Sequence, residues 1–443
     1  MKKIIFIALA LLLLPPGLAL GAEMKKGFYV NLTQHFGVAR IGVNAIGNGG
    51  RLLAGFRIKA EGDPSKAYVW TAGEGFWNTS FPEGEYGSIR NISDNGEVFA
   101  GIIHPNEDGW YAIKGGITMR MDSEFWQDYP LDFFGVGMDL KDLQVSADGS
   151  RIAGSMRMAK AFVIDVKTGQ HRSLPGTAYT KELLVNPKTG TYMPAPIMPG
   201  AKPPTWASGW NGNGKLEAMS RDGKRFLLRL DCPPPYPAAY IIDDEGKYLH
   251  KITFAGREVR QTLPKGLKIG EFTLAHNAHI SGLDAFALSF DGRYAAGKVV
   301  LQYLDGVPLL GGHMPLTDKM VFPVRWDTQT GEILPLLSKP VEDARNFEMS
   351  DNGKVIAFQS DYHGKYLVWR EGHGTSDMSQ LLREYDIKVP VERTWDPLYS
   401  TLSYDGTCIS TAFKQKNTDI YKDKLDLYLI CFEGENHFEK KPE

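Results

Sequence analysis

The chain has 443 residues, with 50 lysines and arginines against 52 aspartates and glutamates. This balance leaves no basic excess of the kind that nucleic-acid binding needs. Glycine is frequent at 48 residues and aromatic residues reach 11%, a mixture that favours turn-rich β structure over a helical bundle. The length fits either two or three ordinary domains or one large repeat fold.

The first 22 residues have the pattern of a secretory signal peptide. Met1-Lys2-Lys3 is a positively charged start, and the apolar run from Ile4 to Leu14 has the length of a signal sequence. We expect cleavage after Gly21 or Ala22. Residues 23–443 would then form one exported domain, periplasmic or secreted, that does not span a membrane. The alternative is an uncleaved membrane anchor, for which the apolar run is short.

One short pattern recurs seven times along the chain. It consists of an apolar residue, a small residue, a turn with Asp or Asn, a glycine and a second apolar run. Asp-Gly and Asn-Gly supply the positive φ angles of a tight hairpin, and Ser and Asp side chains bond nearby backbone amides. We therefore interpret the aspartates as turn formers and not as calcium ligands. The predicted hairpins lie near residues 47–50, 93–96, 146–149, 220–223, 289–292, 350–353 and 403–406.

A third strand follows each hairpin, and a fourth often comes next. Tyr366-Leu367-Val368-Trp369 is typical of the third strand, rich in aromatic and β-branched residues. Four antiparallel strands in each repeat are the pattern of a propeller blade. The sequence thus predicts an all-β protein, a seven-bladed β-propeller of four-stranded antiparallel blades. The last repeat lacks an outer strand, and we expect the N-terminal strand Gly27–Leu32 to close that blade and remove an open edge.

Long inserts separate some of the predicted strands, and loops of this kind often carry binding residues. Several inserts are rich in aromatic residues, which would suit a peptide or a glycan, although the same side chains could simply pack the loops onto the blades. In the insert 371–397, Asp377 and Gln380 predict the start of a short helix. The inserts are 118–142, 172–215, 250–284, 298–321 and 371–397, and the candidate ligand-binding residues are Trp126, Tyr129, Phe133, Trp206 and Trp210.

Two patterns were considered for chemistry. His276 and His279 have the i, i+3 spacing of two metal ligands on a helix, but no third ligand is evident, so we assign no metal and keep this pair as the alternative. Glu348 and Asn91 lie on predicted innermost strands, where a catalytic carboxylate or a structural polar residue is expected. No Gly-x-Ser-x-Gly motif signals a hydrolase nucleophile.

The three cysteines of the chain are Cys232, Cys408 and Cys431. In an exported protein an odd number indicates one disulfide with one buried thiol, or three free thiols. Antiparallel pairing in the last repeat brings Cys408 and Cys431 near each other, which makes them the candidate disulfide.

Two stretches carry a family resemblance. Leu288-Ser289-Phe290-Asp291-Gly292, followed by Val324-Arg325-Trp326-Asp327 and Thr330-Gly331-Glu332, resembles the WD40-like repeats of TolB-type propellers. Copies with Ala-Gly after the turn look more like the HAF-type extracellular repeats of exported bacterial proteins. The resemblance implies the propeller fold for all seven units and leaves the function open.

Export, a propeller that uses the whole mature chain, and the aromatic inserts favour a non-catalytic binding scaffold. It would recognise a protein, a peptide or glycan, or another envelope polymer through its long-loop face, as a monomer without a cofactor. The alternative is a propeller enzyme, namely a lactonase, a lyase or a metal-assisted hydrolase, with its site at the mouth of the channel.

Overall fold

The computed structural model describes seven main stretches of the chain and two isolated residue pairs. The following parts of the sequence predictions lie outside the described residues: the signal segment with Gly21 and Ala22, the candidates Tyr129, Phe133, Trp206 and Trp210, and the third cysteine, Cys232. The described stretches are 27–76, 86–104, 143–174, 214–303, 319–389, 400–412 and 426–438, without 62, 64, 157–159, 169–170, 232–236, 260 and 361–364, and the pairs are 117–118 and 126–127.

The described chain begins with strand β1 (Phe28–Asn31) and the short helix α1 (Leu32–His35), and the first repeat follows. Its four strands form one antiparallel sheet, with a 3₁₀ turn at Asn48–Gly50 between the first two. The strands of the first repeat are β2 (Arg40–Ile46), β3 (Leu52–Ile58), β4 (Lys66–Thr71) and β5 (Gly75–Phe76).

The next three repeats supply a two-stranded sheet, a short ribbon and an eight-stranded sheet. The second repeat has β6 (Tyr86–Ile92) and β7 (Phe99–His104), and the ribbon has β8 (Ile117–Thr118) and β9 (Trp126–Gln127). The eight strands are β10 (Gln144–Val145), β11 (Arg151–Met156), β12 (Lys160–Asp165), β13 (His171–Ser173), β14 (Gly214–Met219), β15 (Arg225–Asp231), β16 (Pro237–Asp243) and β17 (Tyr248–Lys251).

The fifth repeat is larger than the others because its first three strands are longer and an ordered insert precedes them. The insert contains β18 (Thr262–Leu263) and the hairpin of β19 (Lys268–Ile269) with β20 (Phe272–Thr273). The main strands are β21 (Ala278–Leu288), β22 (Tyr294–Tyr303), β23 (Lys319–Asp327) and β24 (Ile333–Pro335).

The sixth repeat ends in the helix that the sequence predicted. Asp377 accepts a hydrogen bond from the Gln380 amide, and the Gln380 side chain bonds back to the Asp377 amide, so the capping box is confirmed. The elements are β25 (Ala344–Met349), β26 (Val355–Ser360), β27 (Tyr366–Arg370), β28 (Gly374–Asp377) and α2 (Met378–Glu384).

The last repeat takes its outer strand from the start of the chain. Its own strands are β29 (Thr401–Leu402), β30 (Cys408–Ala412) and β31 (Leu427–Cys431), and β1 pairs with β31 in antiparallel register from Phe28–Cys431 to Asn31–Tyr428. The predicted closure by the N-terminal strand is confirmed. The sulfurs of Cys408 and Cys431, the candidate disulfide pair, are bonded at 2.09 Å in this sheet.

The all-β propeller architecture is confirmed, but seven separate four-stranded blades are not. The described residues form six principal sheets and two short ribbons. A parallel bridge between Lys160 and Gly214 joins the third and fourth repeats into one eight-stranded sheet, although each half keeps the antiparallel order of a single repeat. The second repeat contributes two strands within the described part of the chain.

Backbone hydrogen bonds link the hairpins of the second to the seventh repeat in chain order, and the seventh to the first. In five of these six links the donor is the amide directly after the Ser of the hairpin, and in the fourth repeat it is the amide two residues after the Ser; the links fix the order of the repeats around the propeller. The bonds run from Asp94 to Ala147 (2.9 Å), Ala147 to Arg221 (2.7 Å), Asp222 to Phe290 (2.9 Å), Phe290 to Asp351 (2.7 Å), Asp351 to Tyr404 (2.6 Å) and Tyr404 to Ile46 (3.1 Å). We call this end of the propeller the hairpin face and the opposite end the long-loop face.

The turn chemistry within the six hairpins that contain a Ser is as predicted. In the third repeat the Ser146 hydroxyl donates to Asp148 Oδ1 at 2.7 Å, and the same oxygen accepts from the Ser150 amide at 2.9 Å. Gly149 has φ of 70°, and a Cβ there would lie 2.7 Å from a methyl group of Val98 in the neighbouring repeat. Glycine is therefore required both by the turn and by the close approach of two repeats.

The hydrophobic core is divided among the interfaces between sheets. One cluster joins Leu53 and Trp70 of the first repeat to Cys408 and Leu429 of the last. Another joins the fourth repeat to the fifth across Leu227 and Phe322, and includes Ile269 and Leu274 of the ordered insert. Because both faces of each sheet are covered, side chains that remain accessible lie in the channel, on the two faces or on the outer rim.

Candidate functional site

The side chain of Arg221, on the fourth hairpin, reaches across the hairpin end of the channel. The residue is 8% exposed. Its Nη1 donates to the carbonyls of Ile92 at 3.1 Å and Val145 at 3.3 Å, which belong to the second and third repeats. Its Nη2 pairs with the carboxylate of Asp94. One guanidinium therefore ties three successive repeats together.

The same guanidinium also contacts the sixth and seventh repeats. Its Nε lies 3.6 Å from Asp351 Oδ1, and its Cζ lies 3.4 Å from the centre of the Tyr404 ring. The Tyr404 hydroxyl lies 3.2 Å from Asn91 Oδ1 and 3.0 Å from the Ile92 carbonyl oxygen, and its one proton is shared between these two acceptors. We call Arg221, Asp94, Asp351 and Tyr404 the hub. Its polar groups are directed at one another, which suits a structural lock on this face.

The hub carries more negative than positive charge. Burial raises the pKa of Asp351 to about 6, and the carboxylates of Asp94 and Asp405 add to the rise, while Arg221 opposes it. The positive charge of the arginine thus offsets the repulsion between these neighbouring carboxylates. Within the described part of the chain no three His, Cys, Asp or Glu side chains are grouped to hold a metal ion, so the hub offers no such site there.

Glu348, the predicted channel carboxylate, makes a contact between inner strands. Its Oε2 accepts from the Leu402 amide of the seventh repeat at 2.5 Å. Burial raises the pKa of Glu348 to about 8, so the side chain is protonated at neutral pH. Asn91 has a similar bridging role, since its Oδ1 accepts from the Val145 amide at 3.3 Å. Both residues hold neighbouring repeats together in this structure.

The two histidines considered as metal ligands do not share a helix. His276 is exposed and precedes β21, and its ring packs edge-on against Tyr303 at 5.4 Å. His279 lies within β21, opposite Gln302 of β22 and Thr262 of β18. The helical spacing expected from the sequence was wrong, because this segment enters an extended strand.

Of the aromatic candidates, the described residues contain Trp126 alone, in β9 opposite Thr118. For Trp126 the structure describes this backbone pairing and nothing of the side chain. The proposed role of Trp126, Tyr129, Phe133, Trp206 and Trp210 in ligand binding stays a prediction.

A cleft that sequence reasoning missed lies on the outer rim between the fourth and fifth repeats. Its volume is about 720 Å³. One wall is β17 with the start of the ordered insert, and the other is the turn from Trp326 to β24; the hairpin β19–β20 completes it. The turn 327–332 borders the hairpin at 289–292, because Thr328 Oγ1 donates to the Gly292 carbonyl at 2.9 Å. The insert joins the end of β17 to the start of β21 at the opposite end of the repeat, so the cleft runs along the outer rim from the hairpin face toward the long-loop face.

The floor of the cleft is buried and hydrogen-bonded. Trp326 is 2% exposed, and its indole Nε1 donates to the Thr253 carbonyl at 3.0 Å, which ties β23 to the insert. Ile252 and Ile269 are each 3% exposed and pack into the core beneath it. The sequence flagged 250–284 as an insert, but apolar residues in a loop gave no sign that this segment would fold back over a neighbouring sheet.

A backbone outlier marks the rim of the cleft. Phe254 and Arg257 exchange two backbone hydrogen bonds, of 2.8 and 2.9 Å, around Ala255 and Gly256. Both central residues have positive φ, 49° for Ala255 and 74° for Gly256, as a tight hairpin turn requires. Alanine is strained in this conformation, and such strain is frequent beside binding sites.

The chain matches no protein-family model and no curated protein. Among solved structures it is similar to the β-propeller domain of Cps50 (Swd1) from Myceliophteria thermophila, with 10% identity, a TM-score of 0.42, and coverage of 88% of this chain and 97% of that one. It is also similar to an oligogalacturonate lyase in complex with manganese, at 12% identity and TM-score 0.42, covering 88% and 89%. TolB from Acinetobacter baumannii has 12% identity and a TM-score of 0.34, covering 78% and 63%.

Likenesses at this level of identity concern the fold and assign no function to the chain. They include a TolB protein, and nothing in them bears on the HAF-type resemblance. Among the described residues, no helix is both long enough and apolar enough to cross a bilayer.

Proposed function

We propose that this protein is an exported binding scaffold without catalytic activity, a propeller of seven repeat units that recognises a partner of the cell envelope through its long-loop face. The proposal includes cleavage of the N-terminal segment and a periplasmic or secreted location. It counts the eight-stranded sheet as two repeats, since each half has its own antiparallel order β10–β13 or β14–β17.

The observation that carries the proposal is the ordered insert at 252–277. Loops that serve only as connections are usually short, whereas this one adds strands, buries apolar side chains in the core and forms a wall of the cleft. Its outward residues Lys265, Lys268 and Glu271 are exposed. A rigid scaffold with a folded loop beside a groove is a common arrangement for recognition.

The hub supports the same assignment of faces. Arg221 is held by the second, third, sixth and seventh repeats, and its carboxylate partners are occupied by it. The hairpin face is therefore braced internally around the channel, whereas the insert begins and ends at the opposite side and folds from there along the outer rim. We assign recognition to the side that carries the insert.

The test is crosslinking capture of the tagged protein in its native cells, read by mass spectrometry. The variant combines Lys265→Glu, Lys268→Glu and Glu271→Lys on the insert. The matched control makes the same charge changes in exposed turns of the hairpin face, Lys167→Glu, Lys224→Glu and Glu245→Lys. We expect the insert variant to lose a partner that the wild type and the control both capture. A partner retained by the insert variant and lost by the control would contradict the assignment.

A further inference from the structure

We infer that the cleft between β17 and β24 binds an extended peptide segment of the partner, which adds as a strand to the open edge of β24. The segment carries an apolar residue between an acidic and a basic one. This inference rests on the proposed binding function and specifies the place and the chemistry of recognition.

The backbone of β24 is ready for strand addition. Among the strands that the structure describes, β24 is the last of its sheet and pairs with β23 alone. The Asp327 amide bonds to the Glu332 carbonyl at 2.9 Å, and the Leu336 amide bonds to the Pro323 carbonyl at 2.9 Å. Because antiparallel pairing alternates, Ile333 between these positions turns its amide and carbonyl away from β23. These two groups make no hydrogen bond within the described residues, so they can pair with an incoming strand.

The side chains that line the cleft favour a peptide over a sugar. Ile333 and Pro335 of β24 face the apolar floor formed by Ile252 and Ile269. Sugar binding generally uses an exposed aromatic plane, whereas Trp326 is 2% exposed and its indole N–H already has a partner. The pattern of backbone groups beside an apolar pocket suits alternating main-chain and side-chain recognition of an extended chain.

The charges along the cleft give the segment a polarity. Lys251 is paired with Glu258 at 2.7 Å and Asp327 with Arg293 at 3.2 Å, so these charges are internally compensated. Lys268 and Glu332, the other charged residues of the lining besides His250, make no ion pair within the described residues. Burial lowers the pKa of His250, and the nearby Arg225 lowers it further against the opposing effect of Asp327, so the charged form of this imidazole is disfavoured.

Lys268 and Glu332 lie toward opposite ends of β24. Gly270, two residues beyond Lys268, packs near Pro335, since a Cβ built on it would lie 3.4 Å from the proline ring. Glu332 directly precedes Ile333 at the other end. A carboxylate of the bound segment therefore meets Lys268, a basic side chain meets Glu332, and an apolar residue occupies the space between them.

The experiment uses a phage-displayed library of random decapeptides, selected on the folded wild-type protein. Ile333→Pro removes the amide that points away from β23, at a position where an edge strand tolerates proline. Lys268→Glu reverses the charge, and Leu334→Thr is the control, because Leu334 is 39% exposed and does not line the cleft. We expect enriched peptides with an acidic, an apolar and a basic residue in register. Their affinity should fall at least about tenfold in Ile333→Pro and in Lys268→Glu, and change less than about twofold in the control.

A second measurement keeps the inference testable if Ile333→Pro does not fold. An enriched peptide carrying N-methyl groups on alternate amides retains its side chains but cannot pair as a strand. We expect it to lose binding to the wild type, and we expect the unmodified peptide to slow hydrogen exchange at the Ile333 amide. No enrichment, or binding that is indifferent to N-methylation, would overturn the inference. If the insert captures a partner but no peptide is enriched, the proposed function is supported and the inference of peptide binding at β24 is refuted.

Discussion

The guanidinium of Arg221 lies 3.4 Å from the centre of the Tyr404 ring, although the two residues belong to the fourth and seventh repeats. Tyr404 is in turn bonded to the second repeat through the Ile92 carbonyl. A side chain from the turn of the fourth repeat thus contacts the second, sixth and seventh repeats across the channel. Neighbouring repeats are also held together by their shared apolar interfaces. Cation–π contact, ion pairing and backbone hydrogen bonds act on the same group, which makes Arg221 the residue on which the hairpin face most depends.

Replacing Arg221 should therefore destabilise the whole propeller. In Arg221→Met the long apolar stem remains, but Asp94 and Asp351 lose their common cation. Breaking a buried ion pair costs about 3–5 kcal/mol, and we expect the lower end because the Asp94 side chain is 40% exposed. Urea unfolding measures the change. Lys224→Met, on the same hairpin but exposed, should stay within about 0.5 kcal/mol of the wild type. An equal effect of the two variants would refute the role of the hub.

Glu348 should make stability fall as the pH rises. Its pKa is raised from 4.5 to about 8 in the folded protein, so the folded state holds a proton that the unfolded state has released across that range. The contribution is fully present below pH 4.5 and is lost as the pH rises through about 8. Glu348→Gln keeps an oxygen for the Leu402 amide and removes the titration. We expect the variant to flatten the decline in the free energy of unfolding between pH 5 and 8; parallel curves would argue against it.

Replacing Ala255 with glycine should relieve the backbone strain at this position and stabilise the protein. With φ of 49°, alanine is in the left-handed region, at a cost of about 1–2 kcal/mol that glycine avoids. The extra freedom of glycine in the unfolded chain offsets part of this gain, so Ala255→Gly should stabilise the protein by about 0.5–1 kcal/mol. Ala60→Gly, at an exposed position without positive φ, should instead lose stability. Thermal unfolding of both variants is the comparison, and a loss in Ala255→Gly would show that no strain is stored there.

The hairpins could be predicted because their chemistry is local. Ser146, Asp148 and Gly149 lie within four consecutive residues and satisfy one another, whatever the rest of the chain does. The closing strand was predictable as well, since an outer strand was missing from the last repeat. The hub could not be predicted, because Arg221 stands at a turn position that tolerates any side chain and meets Asp94 from 127 residues away. The cleft depends on how Ile269 and Leu274 pack onto a distant sheet, which no local pattern encodes.

The disulfide of the last repeat should contribute to stability as a clamp. Cys408 and Cys431 are directly opposite on β30 and β31, are each 0% exposed and close a loop with a sequence separation of 23. Replacing both with serine should cost about 2–4 kcal/mol. Chemical denaturation with and without a reductant measures it, and Cys232→Ser serves as the control. A reductant that leaves the wild type unchanged after full unfolding and refolding would contradict the expectation.

The pairing of β1 with β31 also determines when the fold can be completed. Phe28 lies opposite Cys431, so the first strand waits for roughly four hundred residues before its partner exists. At a synthesis rate of about 5–20 residues per second, this wait lasts roughly 20 to 80 seconds. During that time an extended, partly apolar segment is without the edge that it will cover. A ring closed in this way cannot mature from one end to the other, and a nascent chain of this design depends on being kept from premature pairing until its final strand arrives.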